Sequence, residues 1–269
     1  SKKEVFMSDA INYDALAARA RSQPIHEERI TKVRSTIRQC LRDWSAEGAP
    51  EREQCYGPIL SELEARFPTV ESREGKKVLV PGAGLSRLTW ECAQRGFHAQ
   101  GNEFSYFMLL ASYYILNCVK EPRSIELFPF VHETKNLLRA EHQMMSVRIP
   151  DVDPSDLPAT SNFSMAAGDF LEVYAEDRGK YDVVATCFFI DTANNILQYV
   201  RLISHLLKPG GVWINLGPLL YHFADMEDEL SVEIAYDELR AVFPAFGLRL
   251  DKEQTGLPAA YTEHGSLML

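Results

Sequence analysis

The sequence predicts an α/β protein with a mostly parallel sheet, helices on both faces of the sheet and a helical extension at the N-terminus. Short apolar runs such as VLV at 78–80 and DVVATCFF at 182–189 are typical of buried parallel strands. Longer segments with helical spacing alternate with these runs, which favours helices packed against the sheet. Ahead of the first run, residues 9–45 carry helical spacing.

The composition is that of an ordinary globular protein. The chain has 269 residues, of which 46% are hydrophobic, enough for one large domain or two small ones. Its net charge of −10 argues against a general nucleic-acid binder, which needs clustered cations. No apolar run reaches membrane-spanning length, and the opening SKKEVFMSDA lacks the apolar core of a signal peptide, so we expect no membrane partner.

The cysteines and histidines give no sign of a disulfide framework or a metal site. The five cysteines are scattered, and none forms a C-x-x-C pair. The seven histidines include no closely spaced ligand pair. We therefore expect reduced thiols, a cytoplasmic or nuclear protein and no bound metal.

The N-terminal extension, residues 1–75, is predicted to contain three helices. Pro24 divides the helical pattern of residues 9–45 into two, and a third helix is predicted over Glu51–Phe67. Pro68–Gly75 is interpreted as a polar linker. Helices in this position often cover the cofactor pocket of α/β enzymes, so we expect a lid. Residues 76–269 form the second predicted unit.

The stretch at 77–103, KVLVPGAGLSRLTWECAQRGFHAQGNE, predicts a nucleotide-binding unit. A strand at 78–80 leads into Gly82 and Gly84, which permit a tight turn and a close approach to a ligand. A helix over Leu85–Arg95 and a second strand at 98–101 follow. Glu103 comes just after that strand, where it can accept hydrogen bonds from ribose hydroxyls.

Two cofactors compete for this glycine loop. The dinucleotide fingerprint G-x-G-x-x-G has glycine at the sixth position, where this chain has Arg87. The loop that binds S-adenosylmethionine (SAM) resembles G-x-G-x-G, and here Ser86 stands at the fifth position. A small serine is easier to accommodate than a long arginine. A tight turn that binds nothing is the remaining alternative.

Beyond Glu103 the chain alternates between predicted helices and strands. Phe104–Cys118 is strongly apolar and predicts a buried helix, and residues 121–158 are interpreted as an irregular insertion over the active-site end of the sheet. Further helices are predicted at 194–207 and 236–246. Further strands are predicted at 163–167, 181–189, 212–216 and 247–251.

The carboxyl ends of parallel strands meet at one edge of a sheet, where ligands bind in α/β folds. Several glycines and polar residues follow the predicted strands directly, so we expect them to gather at one rim. They are Gly82, Gly84, Glu103, Asp169, Asp191 and His222.

Three stretches, VPGAGLSRLTWE, YDVVATCFFIDTANN and LKPGGVWINLGPLLYHF, together resemble the carnosine N-methyltransferase family. LKPGG before a strand recurs widely in SAM-dependent methyltransferases, whereas CFFIDTA and GPLLYHF are much narrower. NFSMAAGDF and FPFVH also look like family segments. The likeness runs from about Ile30 to the end of the chain.

This resemblance implies a class I methyltransferase fold, which is Rossmann-like, with an N-terminal helical extension. It implies an enzyme that transfers a methyl group from SAM to the imidazole of carnosine, giving anserine and S-adenosylhomocysteine. Other histidine-containing peptides are candidate substrates, and a homodimer is left open. The family's pattern continues after Leu269 with a tyrosine-rich strand, so we expect this chain to lack the final strand and its part of the substrate pocket.

The resemblance also implies cofactor-binding roles for particular residues. Gly82 and Glu103 match positions that hold the methionine and ribose parts of SAM. Asp169 and Phe170 match the positions at the adenine. The full set of implied cofactor residues is Gln39, Arg42, Gly82, Gly84, Glu103, Asp169, Phe170 and Cys187.

The remaining implied roles concern the methionine carboxylate and the substrate. Gln39 and Arg42 match positions that close over the carboxylate, although an arginine forming a surface ion pair is the simpler alternative. Asp191 and His222 match the carnosine contacts, and Asp191 would fix the imidazole tautomer while His222 orients the dipeptide or relays a proton. The alternatives are a helix N-cap for Asp191 and a structural loop histidine for His222.

Two other classes of function compete with catalysis of methyl transfer. A non-catalytic SAM-binding subunit would keep the cofactor residues and lose the substrate residues, and both Asp191 and His222 are present. An NAD-dependent oxidoreductase on the same layout is disfavoured by Arg87 and by the lack of a recognisable hydride-transfer constellation.

Overall fold

The computed structural model of the protein describes residues 27–134 and 139–259. Its strands are β1 (Lys77–Pro81), β2 (His98–Glu103), β3 (Ile125–Leu127), β4 (Val147–Ile149), β5 (Asn162–Ala167), β6 (Tyr181–Cys187) and β7 (Leu207–Leu216). Five of them form one sheet in the order β5-β2-β1-β6-β7, and every neighbouring pair in it is parallel. The predicted parallel sheet is confirmed.

Helices cover both faces of this sheet, as predicted. No helix within the two described ranges is both long enough and apolar enough to cross a membrane. The α-helices are α1 (Glu27–Trp44), α2 (Ala49–Cys55), α3 (Gly57–Arg66), α4 (Val70–Arg73), α5 (Arg87–Gln94), α6 (Tyr106–Tyr113), α7 (Phe170–Val173), α8 (Ile196–Leu206) and α9 (Tyr236–Val242).

The central strands send alternate side chains into two cores. In β1, Val78 and Val80 belong to the core beneath α1, α3 and α5, whereas Leu79 belongs to the core beneath α7, α8 and α9. In β6, Val183 and Val184 divide in the same way. Both faces of these strands are buried, which explains why they read as continuous apolar runs.

Helix α1 buries only its second half. Residues 27–35 are exposed, and burial begins at Thr36. Trp44 has no exposed surface, and its indole N–H donates to the Leu85 carbonyl oxygen over 2.9 Å. The second predicted helix of the extension is confirmed. The first, between residue 9 and Pro24, lies outside the described residues.

The prediction of one helix over Glu51–Phe67 is wrong, because α2 and α3 replace it and meet at Tyr56. Pro58 has no backbone N–H and its ring collides with the carbonyl four residues earlier, so one continuous helix cannot form. At the start of α3 the same proline is favourable. The linker at Pro68–Gly75 also contains a helical turn, α4, with a reciprocal cap between Thr69 and Ser72.

The prediction of a buried helix over Phe104–Cys118 is wrong in its burial. Helix α6 continues into a π-helical turn, and within the two segments only Ser112 and Ile115 are buried. Phe104, just before α6, is 75% exposed, and Tyr106 is 55% exposed. The segment is apolar on every side, so its composition could not indicate which face meets the protein.

The predicted insertion at 121–158 is more regular than expected. Strands β3 and β4 pair antiparallel within it, with Ile125 opposite Ile149. Strands of three residues are too short to show a clear alternation in the sequence. The insertion packs against α1 and α5, where the Trp90 indole donates to the Pro154 carbonyl oxygen over 2.9 Å.

Three element boundaries near the second half of the sheet differ from the prediction. β6 ends at Cys187, because Phe188 has a φ of 52° and leaves the extended region. Helix α8 begins at Ile196, because the Asn195 side chain accepts the Leu197 N–H as its cap. β7 begins at Leu207, and a register shift opposite Tyr181–Val183 accommodates the extra residues of LKPGG.

The strand predicted at Gly247–Asp251 is wrong. Residues 247–259 form no ladder with any strand in the described part of the chain, and an apolar alternation without a neighbouring edge cannot make a strand. Charged side chains of this segment instead bind helices: Lys252 Nζ lies 2.9 Å from Glu62 in α3, and Glu253 accepts from Arg240 in α9. The helix predicted at 236–246 is confirmed as α9 followed by a short 3-10 turn.

Candidate active site

The glycine loop joins β1 to α5 with two glycines in the left-handed region. At Gly82, φ is 65°, and a Cβ would lie 2.4 Å from the Phe189 ring. The Phe189 ring therefore occupies the space that the missing side chain of Gly82 leaves, whereas we expected a ligand there. At Gly84, φ is 54°, and the nearest atoms to an added Cβ are Gln39 Nε2 at 3.6 Å and Asp43 Oδ2 at 4.0 Å.

Arg87, which we expected to be hard to accommodate at the sixth loop position, points away from the loop. Its guanidinium lies between the rings of Trp44 and Trp90, 5.0 and 5.1 Å from their centroids. Nη1 donates to Asp151 Oδ1 over 2.5 Å, and Nε donates to Glu91 Oε1 over 2.9 Å. Burial alone would lower the pKa of Arg87, but the bonds to Asp151 raise it above its ordinary value. Helix and strand therefore pack closely without a glycine here.

Glu103 ends β2 with its carboxylate bound to the backbone. Oε2 accepts the Gly84 N–H over 2.8 Å, and Oε1 accepts the N–H groups of Phe104 and Ser105 over 2.8 and 2.6 Å. Burial raises the pKa of Glu103, against the effect of these three donors. The acid predicted to bind ribose is thus fixed beside the glycine loop.

We expect Glu103→Gln to weaken binding of S-adenosylhomocysteine by about 1–3 kcal/mol, because the amide offers one acceptor oxygen in place of two. In the wild-type protein, affinity should fall as acid protonates Glu103. This fall should start at a higher pH than for an ordinary glutamate, since burial raises the pKa.

Calorimetry across pH checks both expectations, with the exposed Glu121→Gln as the matched control. Unchanged affinity in Glu103→Gln would remove Glu103 from the cofactor site.

Gln39 and Arg42 lie on the buried half of α1 and share one carboxylate. Arg42 Nε donates to Asp43 Oδ1 over 2.9 Å, and Gln39 Nε2 donates to Asp43 Oδ2 over 3.2 Å. The Tyr56 hydroxyl donates to Asp43 Oδ1 over 2.7 Å. Burial alone would lower the pKa of Arg42, but Asp43 and then Tyr56 raise it well above the ordinary value. The surface ion pair considered for Arg42 is excluded by its burial.

Asp43 is a residue that sequence reasoning missed. It has no exposed surface and sits behind Gln39 and Arg42, next to the glycine loop. In the sequence it reads as an ordinary acid in a polar helix. Only the packing of α1, α2 and the loop around it reveals that it orients both predicted cofactor residues.

Asp169 and Phe170 follow β5, the strand next to β2. Asp169 Oδ1 accepts the N–H groups of Leu171 and Glu172 over 2.8 and 3.2 Å and so caps α7. Phe170 is buried and meets the ring of Phe189 edge-on at 5.4 Å. Its side chain faces the core, so a role at the adenine would fall to its backbone N–H. Both roles stay predictions.

Cys187 ends β6 beneath α2. Its Sγ approaches the Cys55 carbonyl oxygen at 3.8 Å. Burial raises the pKa of Cys187, against the lowering effect of Arg42. The thiol is therefore neutral, and none of the five cysteines, all of which the structure describes, forms a disulfide.

Asp191 lies in a 3-10 turn between β6 and α8 and is only 2% exposed. Its Oδ2 accepts the Leu220 N–H over 3.0 Å, and its carbonyl oxygen accepts the His222 N–H over 3.0 Å. The alternative role as a helix N-cap is wrong, since Asn195 caps α8. Asp191 instead ties the loop after β7 to the loop after β6.

His222 is exposed, and its side chain makes no hydrogen bond to the described part of the chain. A loop histidine with a structural role would be expected to bind a neighbour. Its neighbour Tyr221, with a φ of 48°, is a second residue that the sequence did not single out.

The predicted rim exists, and the strand order fixes the sequence of groups along it. Neighbouring strands β5, β2, β1, β6 and β7 end near Asp169, Glu103, the glycine loop, Asp191 and His222, in that order. Within the described ranges, no group of three or more histidine, cysteine, aspartate or glutamate side chains is placed to hold a metal ion. The rim is thus a row of hydrogen-bonding groups beside buried Arg42.

Comparison with known families identifies the chain. A family model described as Carnosine N-methyltransferase matches residues 20–269. The chain belongs to the carnosine N-methyltransferase family. The parallel sheet and its N-terminal helices are accordingly the class I methyltransferase fold that the resemblance implied.

Three relatives with the name carnosine N-methyltransferase show how far the likeness extends. The mouse protein is 46% identical over 239 residues, the Drosophila melanogaster protein 47% over 241 and the Schizosaccharomyces pombe protein 46% over 244. These alignments cover 88%, 89% and 86% of this chain. They cover 60%, 53% and 65% of the length of these relatives. The chain therefore spans between about half and two thirds of the proteins that it matches.

Proposed function

We propose that this protein transfers a methyl group from SAM to an imidazole nitrogen of carnosine, forming anserine and S-adenosylhomocysteine. The observation that carries the proposal is the order of groups along the rim. A cofactor made of adenine, ribose and methionine, followed by a methyl acceptor, matches Asp169, Glu103, the glycine loop and the Asp191–His222 pair in that order. Family membership supports the same reaction.

The residues present suit SAM. Buried Gln39 lies against Gly84 and shares the Asp43 carboxylate with buried Arg42, so the two side chains would bind the methionine carboxylate beside the glycine loop. The Glu103 carboxylate would accept the ribose hydroxyls, and the start of α7 would receive the adenine. When bound, SAM supplies a methyl group on a positively charged sulfur.

The acceptor side needs placement more than activation. A free imidazole has a pKa of about 6.5, so most of the nucleophile is already neutral at pH 7. Asp191 Oδ2 is occupied by Leu220, and Oδ1 has no hydrogen bond to the described residues, so it would accept the N–H of the substrate ring. This bond fixes the tautomer and stabilises the positive charge that develops. His222 would orient the dipeptide or relay the proton.

One assay tests the proposal. The protein is incubated with SAM and carnosine, and mass spectrometry measures the gain of one methyl group and its position on the ring. Carnosine with the histidine replaced by phenylalanine is the matched control. A panel of histidine-containing peptides measures the substrate range.

Binding measurements separate the rival functions. Thermal stabilisation by SAM and S-adenosylhomocysteine but not by NAD, together with carnosine methylation, is the expected result. Binding of SAM without methylation of any imidazole would favour the non-catalytic subunit. Stabilisation by NAD alone would favour the oxidoreductase. The size of Arg87 is no longer an argument against that function, because its side chain lies over the Trp44 ring.

We also propose that α1 closes over the cofactor as a lid. S-adenosylhomocysteine should slow tryptic cleavage after exposed Lys32 and Arg34, because contacts with Gln39 and Arg42 resist local unfolding of the helix. The nucleoside 5′-methylthioadenosine lacks the carboxylate and should protect much less. Equal cleavage rates with and without S-adenosylhomocysteine would contradict the lid.

Carnosine or a histidine-containing peptide is the proposed partner, and we propose the cytoplasm, with the nucleus as the second compartment. The lack of a disulfide among the five described cysteines supports a reducing environment. Light scattering would determine whether the protein forms the homodimer that the resemblance left open.

A further inference from the structure

The segment after β7 contains a strained tyrosine. Tyr221 has a φ of 48°, a left-handed conformation that is a genuine outlier for a bulky side chain. Residues in this conformation persist only when their surroundings hold them there, and they concentrate at functional sites. Tyr221 immediately precedes His222, so its conformation sets where the backbone of His222 lies.

The side-chain hydroxyl of this tyrosine makes two hydrogen bonds to one residue. The Tyr221 hydroxyl donates to the Ile234 carbonyl oxygen over 2.5 Å and accepts the Ile234 N–H over 3.2 Å. Its ring packs against the core beneath α8 and α9. One side chain therefore satisfies both backbone groups of a residue at the far end of the loop. We call residues 220–234 the acceptor loop.

The residues on either side of Tyr221 are fixed by Asp191. Leu220 donates its N–H to the Asp191 carboxylate, and His222 donates its N–H to the Asp191 carbonyl oxygen, each over 3.0 Å. The strained residue is thus clamped between two bonds to the one buried acid that faces the proposed acceptor. A displacement of Tyr221 would therefore displace the backbone of His222 and disturb its bond to Asp191.

The far end of the acceptor loop has its own anchor. Asn194 Nδ2 donates to the Leu230 carbonyl oxygen, and the Val232 N–H donates to the Asn194 carbonyl oxygen, each over 2.9 Å. Residues 223–228 make only local turns, and Glu229 Oε2 adds to the Asn194 anchor by accepting from Asn194 Nδ2 over 3.4 Å. Two contacts therefore close the loop. The Tyr221 hydroxyl joins its first residues to Ile234, and Asn194 holds Leu230 and Val232.

We propose that Tyr221 is a positioning residue that holds Asp191 and His222 in register for the methyl acceptor. The inference rests on the proposed function. It assigns to the Tyr221 hydroxyl no contact with substrate or cofactor, since both of its hydrogen bonds go to Ile234. Its effect passes through the backbone of the acceptor loop.

The test compares Tyr221→Phe with Tyr236→Phe. Tyr236→Phe also removes a tyrosine hydroxyl, but this hydroxyl donates to the exposed Glu253 carboxylate over 2.7 Å and makes no bond to Tyr221 or Asp191. We expect kcat/KM for carnosine to fall about 10–100-fold in Tyr221→Phe, mainly through kcat, because a displacement of about 1 Å costs up to about 10²-fold. Affinity for S-adenosylhomocysteine should match that of Tyr236→Phe, and the fall in kcat should persist well below the melting temperature, which falls modestly because Ile234 loses both partners.

A second variant covers the case in which Tyr221→Phe does not fold. Asn194→Ala weakens the exposed anchor by removing its side-chain bonds and keeps the backbone bond to Val232, so it should also lower kcat, by a smaller factor, with cofactor affinity unchanged. Wild-type protein that methylates no imidazole would defeat the proposed function itself. If the wild-type protein turns over normally, an equal kcat in Tyr221→Phe and Tyr236→Phe would overturn the role of Tyr221. If Tyr221→Phe is unfolded, an unaltered kcat in Asn194→Ala would overturn it.

Discussion

Asp191→Asn should lower the rate of carnosine methylation by about 10²–10⁴-fold, the usual effect of removing a group that positions or receives a proton. The amide oxygen of asparagine can still accept the Leu220 N–H, so the acceptor loop should keep its place. The negative charge that stabilises the ring during transfer is lost. Steady-state assays, calorimetry with S-adenosylhomocysteine and thermal melting should show a slow enzyme with normal cofactor affinity and stability.

Asp225→Asn is the matched control for this experiment. Asp225 is exposed in the same loop, so the variant makes the same change of charge a few residues from His222. Its turnover should stay close to that of the wild-type protein. The mechanism fails if stably folded Asp191→Asn turns over normally, or if its loss of rate merely follows a loss of melting temperature.

Asp151→Ala should destabilise the protein by about 3–5 kcal/mol, the typical cost of removing one partner from a buried ion pair. Asp151 Oδ2 accepts from Arg52 Nη2 over 2.6 Å, and Oδ1 accepts from Arg87 Nη1 over 2.5 Å. Burial and then the charge of Arg87 lower the pKa of Arg52, so two cations already oppose each other here. Without the Asp151 carboxylate, Arg52 and Arg87 stay buried with less negative charge to offset their own.

Urea denaturation measures this effect, with Asp156→Ala as the control. Asp156 is an exposed acid in the same insertion, and its removal should change the free energy of unfolding by less than about 0.5 kcal/mol. Equal stability of the two variants would show that the arginines find other partners and that Asp151 does not secure the insertion.

The sequence predicts those parts of the site that follow from strand ends. Gly84, Glu103, Asp169 and Asp191 each come just after a predicted strand, and a parallel sheet necessarily brings such residues to one edge. Their placement needs no knowledge of distant contacts. The strands β1 and β6 are predictable for a separate reason, because both of their faces are buried and their central residues are apolar without a break.

The parts that the sequence does not predict depend on contacts between distant segments. Asp43 and Tyr221 look ordinary until α2 and Ile234 are packed beside them. Arg87 seemed too large for its position because nothing in the local sequence announces Trp44 and Asp151 as its partners. The strand predicted at 247–251 fails for a related reason. Its apolar pattern suits a strand, but no sheet edge within the described ranges lies beside it for pairing.

The contacts of Asp151 have a consequence for the order in which the chain folds during synthesis. Asp151 lies 99 residues after Arg52 and 64 residues after Arg87, so both arginines leave the ribosome well before their shared carboxylate. Until then, docking α1 and α2 onto the glycine loop would bury two neighbouring cations without the carboxylate that they share. The N-terminal helices should therefore wait for the insertion, and the methionine end of the cofactor site is completed only once residue 151 has been translated.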